Sequence, residues 1–315
     1  MHKKIILTIL TLILTMSILG CSKDNKTSAS SQELQPITIG VMPDVDSIPF
    51  IIANHNGYFK DEGLDVEIMH FKSALDRDSA LQAGNLDGAI SDMLAVVFFN
   101  DSKFNVKITS KTNGSFKLIA GKNSNISKLE EINNKSIGIS KNTIIEYLTD
   151  RIINTSNINI SLDKVSIPKI PTRLEMLKNG KIDLATLPEP LASVAVANGS
   201  KILNSSDKLG INPSIMLFTE DAISSKKREI KTLYKAYNKA IKYLKKEPLE
   251  NYVQVLINDA GFPESIKNTL ILPDYNKASM PSKKEFNEVL DWLKSKDLTT
   301  STYSFNELCD ESFIK

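Results

Sequence analysis

Four carboxylates and several hydroxyls in this chain stand directly after short β-branched, apolar runs. Asp44, Asp46 and Ser47 follow residues 37–42, Ser73 follows 64–71, and Ser91 and Asp92 close the run that begins at 86. Asn142 and Thr143 follow 135–140, and Glu189 follows the run launched by Asp183. If these runs are strands of open α/β sheets, the turns after them lie where such sheets hold ligands. Carboxylates there accept N–H donors, and the free N–H groups of a helix starting at Asn142 and Thr143 favour an acceptor or an anion. Asn142 and Ser47 serve equally well as helix caps, and any one carboxylate could be a surface group. Among these turns Lys72 is a rare cation and arginine is absent, so the expected site is acidic. Phe116 and Phe50 offer rings for stacking, with core packing the alternative. Nucleophilic and metal chemistry find little support: the three histidines, His2, His55 and His70, have no metal-ligand or acid–base spacing. No phosphate-binding G-x-x-x-x-G-K-[ST] motif occurs. No catalytic residue, metal or cofactor is expected.

The elements that must position these residues alternate between strand and helix, which implies parallel sheets covered on their faces. Helices are predicted over 76–83, ending at Gly84, and from Thr143 to about 153. The most informative pattern occurs twice. Residues 80–89 (ALQAGNLDGA) match 176–185 (MLKNGKIDLA) at a constant offset of 96 positions, 80 to 176 and 89 to 185. Each copy has an apolar helix face, a glycine able to take a left-handed cap, and an aspartate in the turn that launches a strand. The first copy follows a strand-helix-strand opening and the second a strand over 135–140 running into a helix, similar elements in similar order, which points to two similar α/β lobes. Residues 214–219 read as a strand returning to the first lobe. Residues 226–246 carry apolar side chains at helical spacing with a solvated lysine face. A further helix over 285–295 carries Trp292 as a packing residue.

At the amino terminus, Lys3 and Lys4 precede an apolar run over 5–19 and then Gly20-Cys21. That run falls short of the roughly 20 residues a membrane-spanning helix needs, and a small residue precedes the cysteine, so it reads as an export signal over 1–20. Residues 22–35 are polar and aperiodic, a flexible tether. The remainder of the 315 residues suits two domains of about 150 residues each. With Lys3 and Lys4 removed, 37 basic residues face 37 acidic ones, which argues against nucleic acid as a partner. The other cysteine, Cys309, leaves no disulfide framework once Cys21 is modified.

Gly57-Tyr58-Phe59-Lys60-Asp61-Glu62-Gly63-Leu64-Asp65-Val66-Glu67 resembles the signature of ABC-transporter solute-binding lipoproteins of the sulfonate, nitrate, taurine and thiamine-precursor-binding family. Leu81-Gln82-Ala83-Gly84 with Asp87, residues 142–147, Leu187-Pro188-Glu189-Pro190 and Asp291-Trp292-Leu293 extend the resemblance over 37–313. It implies a two-lobed periplasmic-binding-protein-like fold of type II: two parallel or mixed sheets flanked by helices, joined by two hinge crossings near 117–121 and 215–219. Lobe 1 would comprise 37–119 plus 217–315, lobe 2 would comprise 120–216, and 21–36 would be the lipidated cysteine and its tether. Ile18-Leu19-Gly20-Cys21 resembles a lipobox, which implies palmitate-type acylation of Cys21 and membrane anchoring on the extracytoplasmic face. The implied partners are a small-molecule solute and an ABC permease with its ATPase subunit, the protein being a monomer.

The chain departs from the family pattern at Pro43-Asp44-Val45-Asp46-Ser47, where many relatives carry glycine, tryptophan or neutral polar residues. The candidate ligand contacts are Asp44, Ser47, Ser73, Ser91, Asp92, Asn142, Thr143, Glu189 and Phe116. Their acidity favours an N–H-bearing solute such as an aminopyrimidine over a sulfonate, taurine or nitrate. A precursor-biosynthesis enzyme of the same fold and a ligand-sensing subunit are the rival readings.

Overall fold

Ten strands are ordered along the chain as β1 (Ile37–Val41), β2 (Val66–His70), β3 (Gly88–Asp92), β4 (Val106–Lys111), β5 (Phe116–Ala120), β6 (Lys135–Ile139), β7 (Leu162–Ser166), β8 (Leu184–Pro188), β9 (Lys201–Ser205) and β10 (Ser214–Thr219). The computed structural model describes residues 33–155 and 159–315; the expected export signal, Cys21 and most of the tether lie outside the described residues. Residues 34–315 form one compact unit. Its strands make two five-stranded sheets, β2-β1-β3-β10-β4 and β7-β6-β8-β5-β9, flanked by helices in a two-lobed α/β arrangement.

The two sheets repeat one design. β1 lies parallel to β2 and β3, as β6 does to β7 and β8, and the fourth strand of each sheet is antiparallel. Gly40 pairs with Met69 and Ala89, and Gly138 pairs with Val165 and Ala185, the last two each 96 positions on. The duplicated aspartates do the same work. Asp87 Oδ2 accepts from the Thr38 amide at 2.8 Å, and Asp183 Oδ2 from the Ser136 amide at 2.9 Å. Each carboxylate thereby ties the start of the third strand to the first.

The antiparallel strand of each sheet is the one that arrives from the other sheet. β5 follows β4 after residues 112–115, and β10 follows β9 after 206–213. The expected crossings near 117–121 and 215–219 are therefore strands paired on both sides, and the expected lobe boundaries at 119/120 and 216/217 fall inside them. The cause is burial: every residue of β5 and all but the last of β10 is buried, and such runs belong inside a sheet.

The helix Lys227–Lys246 buries Ile230, Leu233, Tyr234, Tyr237, Ile241 and Leu244. On its solvent side Lys235 and Lys239 each hold Glu62 at 2.5 Å. Trp292, on the helix Lys283–Ser295, is a packing residue: it meets Tyr147 edge-on at 5.6 Å and donates through Nε1 to Asp150 Oδ2 at 3.2 Å.

Candidate functional site

The carboxyl ends of β1 and β3 face those of β6 and β8 across a cavity of about 50 Å³. Ligand pockets are usually roughly 300–1,000 Å³, so the cleft is nearly shut. Two main-chain bonds close it: the Val45 amide donates to the Glu189 carbonyl at 3.1 Å and the Ile170 amide to the Lys72 carbonyl at 3.2 Å.

Asp44, Ser91, Asp92, Phe116 and Thr143, all expected in the site, line this cavity together with Asp46. Thr143 also caps the helix Ile144–Asn154, accepting from the Ile145 amide at 3.2 Å. The N-cap is thus Thr143, while Asn142 stands outside the lining with a left-handed φ of 57° and donates its amide to Glu146. The other three expected residues are held by neighbours rather than presented to the cavity. Ser47 donates to the Asp44 carbonyl at 2.7 Å, Ser73 donates to Asp76 and caps the helix Ala74–Gln82, and Glu189 accepts from the Ser193 amide. Phe50 packs on Tyr237 at 4.9 Å, inside the core.

The expectation of a site without arginine is corrected by two buried guanidinium groups, Arg77 at 4% and Arg173 at 0% exposure, which line the cavity from opposite lobes. They come from the helices Ala74–Gln82 and Ile170–Lys178, one turn beyond the strand-to-helix turns read from the sequence. The duplication carries a signal for them, because 77 and 173 are also 96 positions apart. Two glycines make room for them. A Cβ at Gly40 would stand 3.3 Å from Arg77 Cγ, and one at Gly138 would stand 3.1 Å from Arg173 Cγ.

Burial dominates the electrostatics. It raises Asp44 well above the usual carboxylate range, with Asp46 adding to the rise and Arg77 opposing it. Burial pushes Asp46 up to about 6 against the hydroxyls of Thr112 and Ser214, and Asp92 to about 6 against Arg77. It raises Glu189 as well. Arg77 overcomes burial and is raised by Asp78, Asp92 and Asp44, whereas burial alone lowers Arg173 to about 9. Asp44 Oδ1, Asp46 Oδ1, Ser91 Oγ and the Nε and Nη2 of Arg173 are buried without a hydrogen-bond partner among the described residues. Buried polar atoms are nearly always paired. Arg77 Nη2 in lobe 1 and Glu189 Oε1 in lobe 2 also lack a hydrogen-bond partner among the described residues, so unpartnered donors and acceptors come from both lobes.

Known proteins share this fold. The family model described as NMT1/THI5 like matches residues 44–251. A Brachyspira hyodysenteriae protein, named as an ABC transporter periplasmic binding protein, is 24% identical over 261 residues, covering 77% of this chain and 75% of that one. The alkanesulfonate-binding protein SsuA of Xanthomonas axonopodis pv. citri, solved with MOPS bound, superposes with a TM-score of 0.77 at 13% identity, covering 88% of this chain and 99% of that one. The desulfurization enzyme DSZB superposes with a TM-score of 0.66 at 11% identity, covering 89% and 97%.

Proposed function

The chain belongs to the NMT1/THI5-like family, and on that premise we propose that it is the solute-capturing subunit of an ABC-type importer. The observation that carries this reading is the convergence of unpartnered donors and acceptors from two lobes on one cleft. A ligand that pairs with both walls stabilises the closed arrangement, because it binds that state more tightly than the open one. Among the described residues no group of His, Cys, Asp or Glu is arranged to hold a metal, and His55 is engaged with Asp259 at 2.8 Å.

The solute carries N–H donors for Asp44 and Asp46, as an aminopyrimidine does. The sulfonate reading keeps a specific argument in Arg173, a cation of the kind an oxyanion needs. The partners are a permease and, through it, an ATPase subunit. The protein acts as a monomer on the extracytoplasmic face, held there by acylation of Cys21; several acyl chains at about 0.8 kcal/mol per buried CH₂ suffice for such anchoring. No helix among the described residues is long and apolar enough to cross a membrane.

Native mass spectrometry of the purified full-length chain tests the function. One bound small molecule per chain, released unchanged, is the expected result. Chemical conversion of that molecule by the protein would establish the enzyme reading instead.

A further inference from the structure

The internal repeat keeps the arginine in both lobes but not its surroundings. In lobe 1 Arg77 Nε donates to Asp78 Oδ1 at 2.8 Å, Nη2 stands 2.7 Å from the same oxygen as an ion pair without a hydrogen bond of its own, and Nη1 donates to the Ile90 carbonyl at 3.0 Å. In lobe 2 Arg173 Nη1 likewise donates to a carbonyl, that of Ile167, at 2.8 Å, but Nε and Nη2 have no partner. The reason is legible position by position. Asp78 and Asp92 correspond, 96 positions on, to Leu174 and Pro188. Asp44, the third residue after β1, corresponds to Asn142, the third after β6. Each acid that surrounds Arg77 is neutral around Arg173.

An uncompensated buried guanidinium is costly, because the charge has left water without gaining a partner. Its free edge carries two N–H groups in the fork that fits a planar carboxylate bidentately, and Asp78 already presents a carboxylate to the same edge of Arg77. Across the cavity, Asp44 and Asp46 present unpartnered carboxylate oxygens. The cleft therefore has an acidic wall in lobe 1 and a cationic wall in lobe 2, both lining one cavity of about 50 Å³.

From this juxtaposition we infer that the solute is a compact amino-carboxylate zwitterion. Its carboxylate pairs with the Nε and Nη2 edge of Arg173, and its ammonium or amidinium end meets Asp44 and Asp46. The inference rests on the solute-capture reading and narrows it to one class. It also gives the lost acids a purpose: the ligand supplies to Arg173 the carboxylate that Asp78 supplies to Arg77.

Titration calorimetry on the full-length chain tests this with glycine, β-alanine and γ-aminobutyrate against propionate, propylamine and taurine. At least one amino-carboxylate is expected to bind tenfold or more tighter than propionate and propylamine, and tighter than taurine, whose tetrahedral sulfonate is bulkier than a carboxylate in a cavity of about 50 Å³. Arg173→Gln is expected to weaken that ligand at least tenfold, and Arg173→Lys, which keeps the charge without the fork, to weaken it severalfold. If either variant fails to fold, the wild-type panel decides alone. Equal or tighter binding of propionate, propylamine or taurine, or no binding of any amino-carboxylate, overturns the inference. Native mass spectrometry separates the two levels: a neutral or singly charged solute in the cleft ends the zwitterion assignment and leaves solute capture standing.

Discussion

Asp46 is held in the fold at a cost in stability. Its carboxyl is raised from 3.8 to about 6 by burial, so the folded chain holds the proton more tightly than the unfolded one, and stability falls as pH rises between those values. At about 1.4 kcal/mol per pKa unit, Asp46→Asn is expected to stabilise the ligand-free protein by about 3 kcal/mol at pH 7. The gain should shrink as pH falls through 6 and vanish below about 4, which paired thermal melts of variant and wild type over pH will show. The same substitution is expected to weaken ligand binding. The acids of this site were legible in the sequence because each stands in a turn directly after a strand. The arginines were not, because a long side chain from one helical turn further on reaches back to the same space. Only the duplication, followed from positions 80 and 176 back to 77 and 173, marks them.

Gly138 shows the same dependence at the scale of elements. A Cβ there would lie 2.5 Å from Ile182 Cδ1 and 3.1 Å from Arg173 Cγ, so β6 can approach the helix Ile170–Lys178 only without a side chain. Gly138→Ala is expected to cost about 1–3 kcal/mol through overpacking and to weaken ligand binding by displacing Arg173. Gly63 is the control. Its φ is +74°, and a Cβ there would meet nothing within 4 Å, so Gly63→Ala should cost about 1 kcal/mol of backbone strain and leave binding unchanged. Chemical denaturation with calorimetry on both variants distinguishes the two effects. Local patterning made these elements readable, since the glycine-aspartate turn before β3 and β8 needs no partner to be recognised. β10 runs over Ser214–Thr219, the range its residues predict, and β5 over Phe116–Ala120, one residue ahead of the crossing expected near 117–121.

The whole molecule is held together away from the cavity as well. The helix Lys283–Ser295 reaches the helix Ile144–Asn154 through Asp150, which accepts from Trp292 Nε1 and lies 2.8 Å from Lys296 Nζ and 2.7 Å from Lys164 Nζ. Arg151 and Glu288 add a pair at 3.2 Å. Burial raises the Asp150 carboxyl, but Lys164 and Lys296 outweigh it and hold it below the usual range. Its contribution is therefore present above the unfolded value and lost as pH falls through the folded one. Asp150→Ala is expected to cost on the order of 1–3 kcal/mol at pH 7, with the deficit closing as the pH is lowered toward 3 in thermal melts.

Capture of a solute between two walls of opposite character is tested most directly by native mass spectrometry on three full-length proteins: wild type, Asp44→Asn/Asp46→Asn and Arg173→Gln. Wild type is expected to carry one solute per chain, and each variant, though folded, to carry it at much lower occupancy. Equal occupancy by the same solute in all three proteins would contradict the assignment of this cleft.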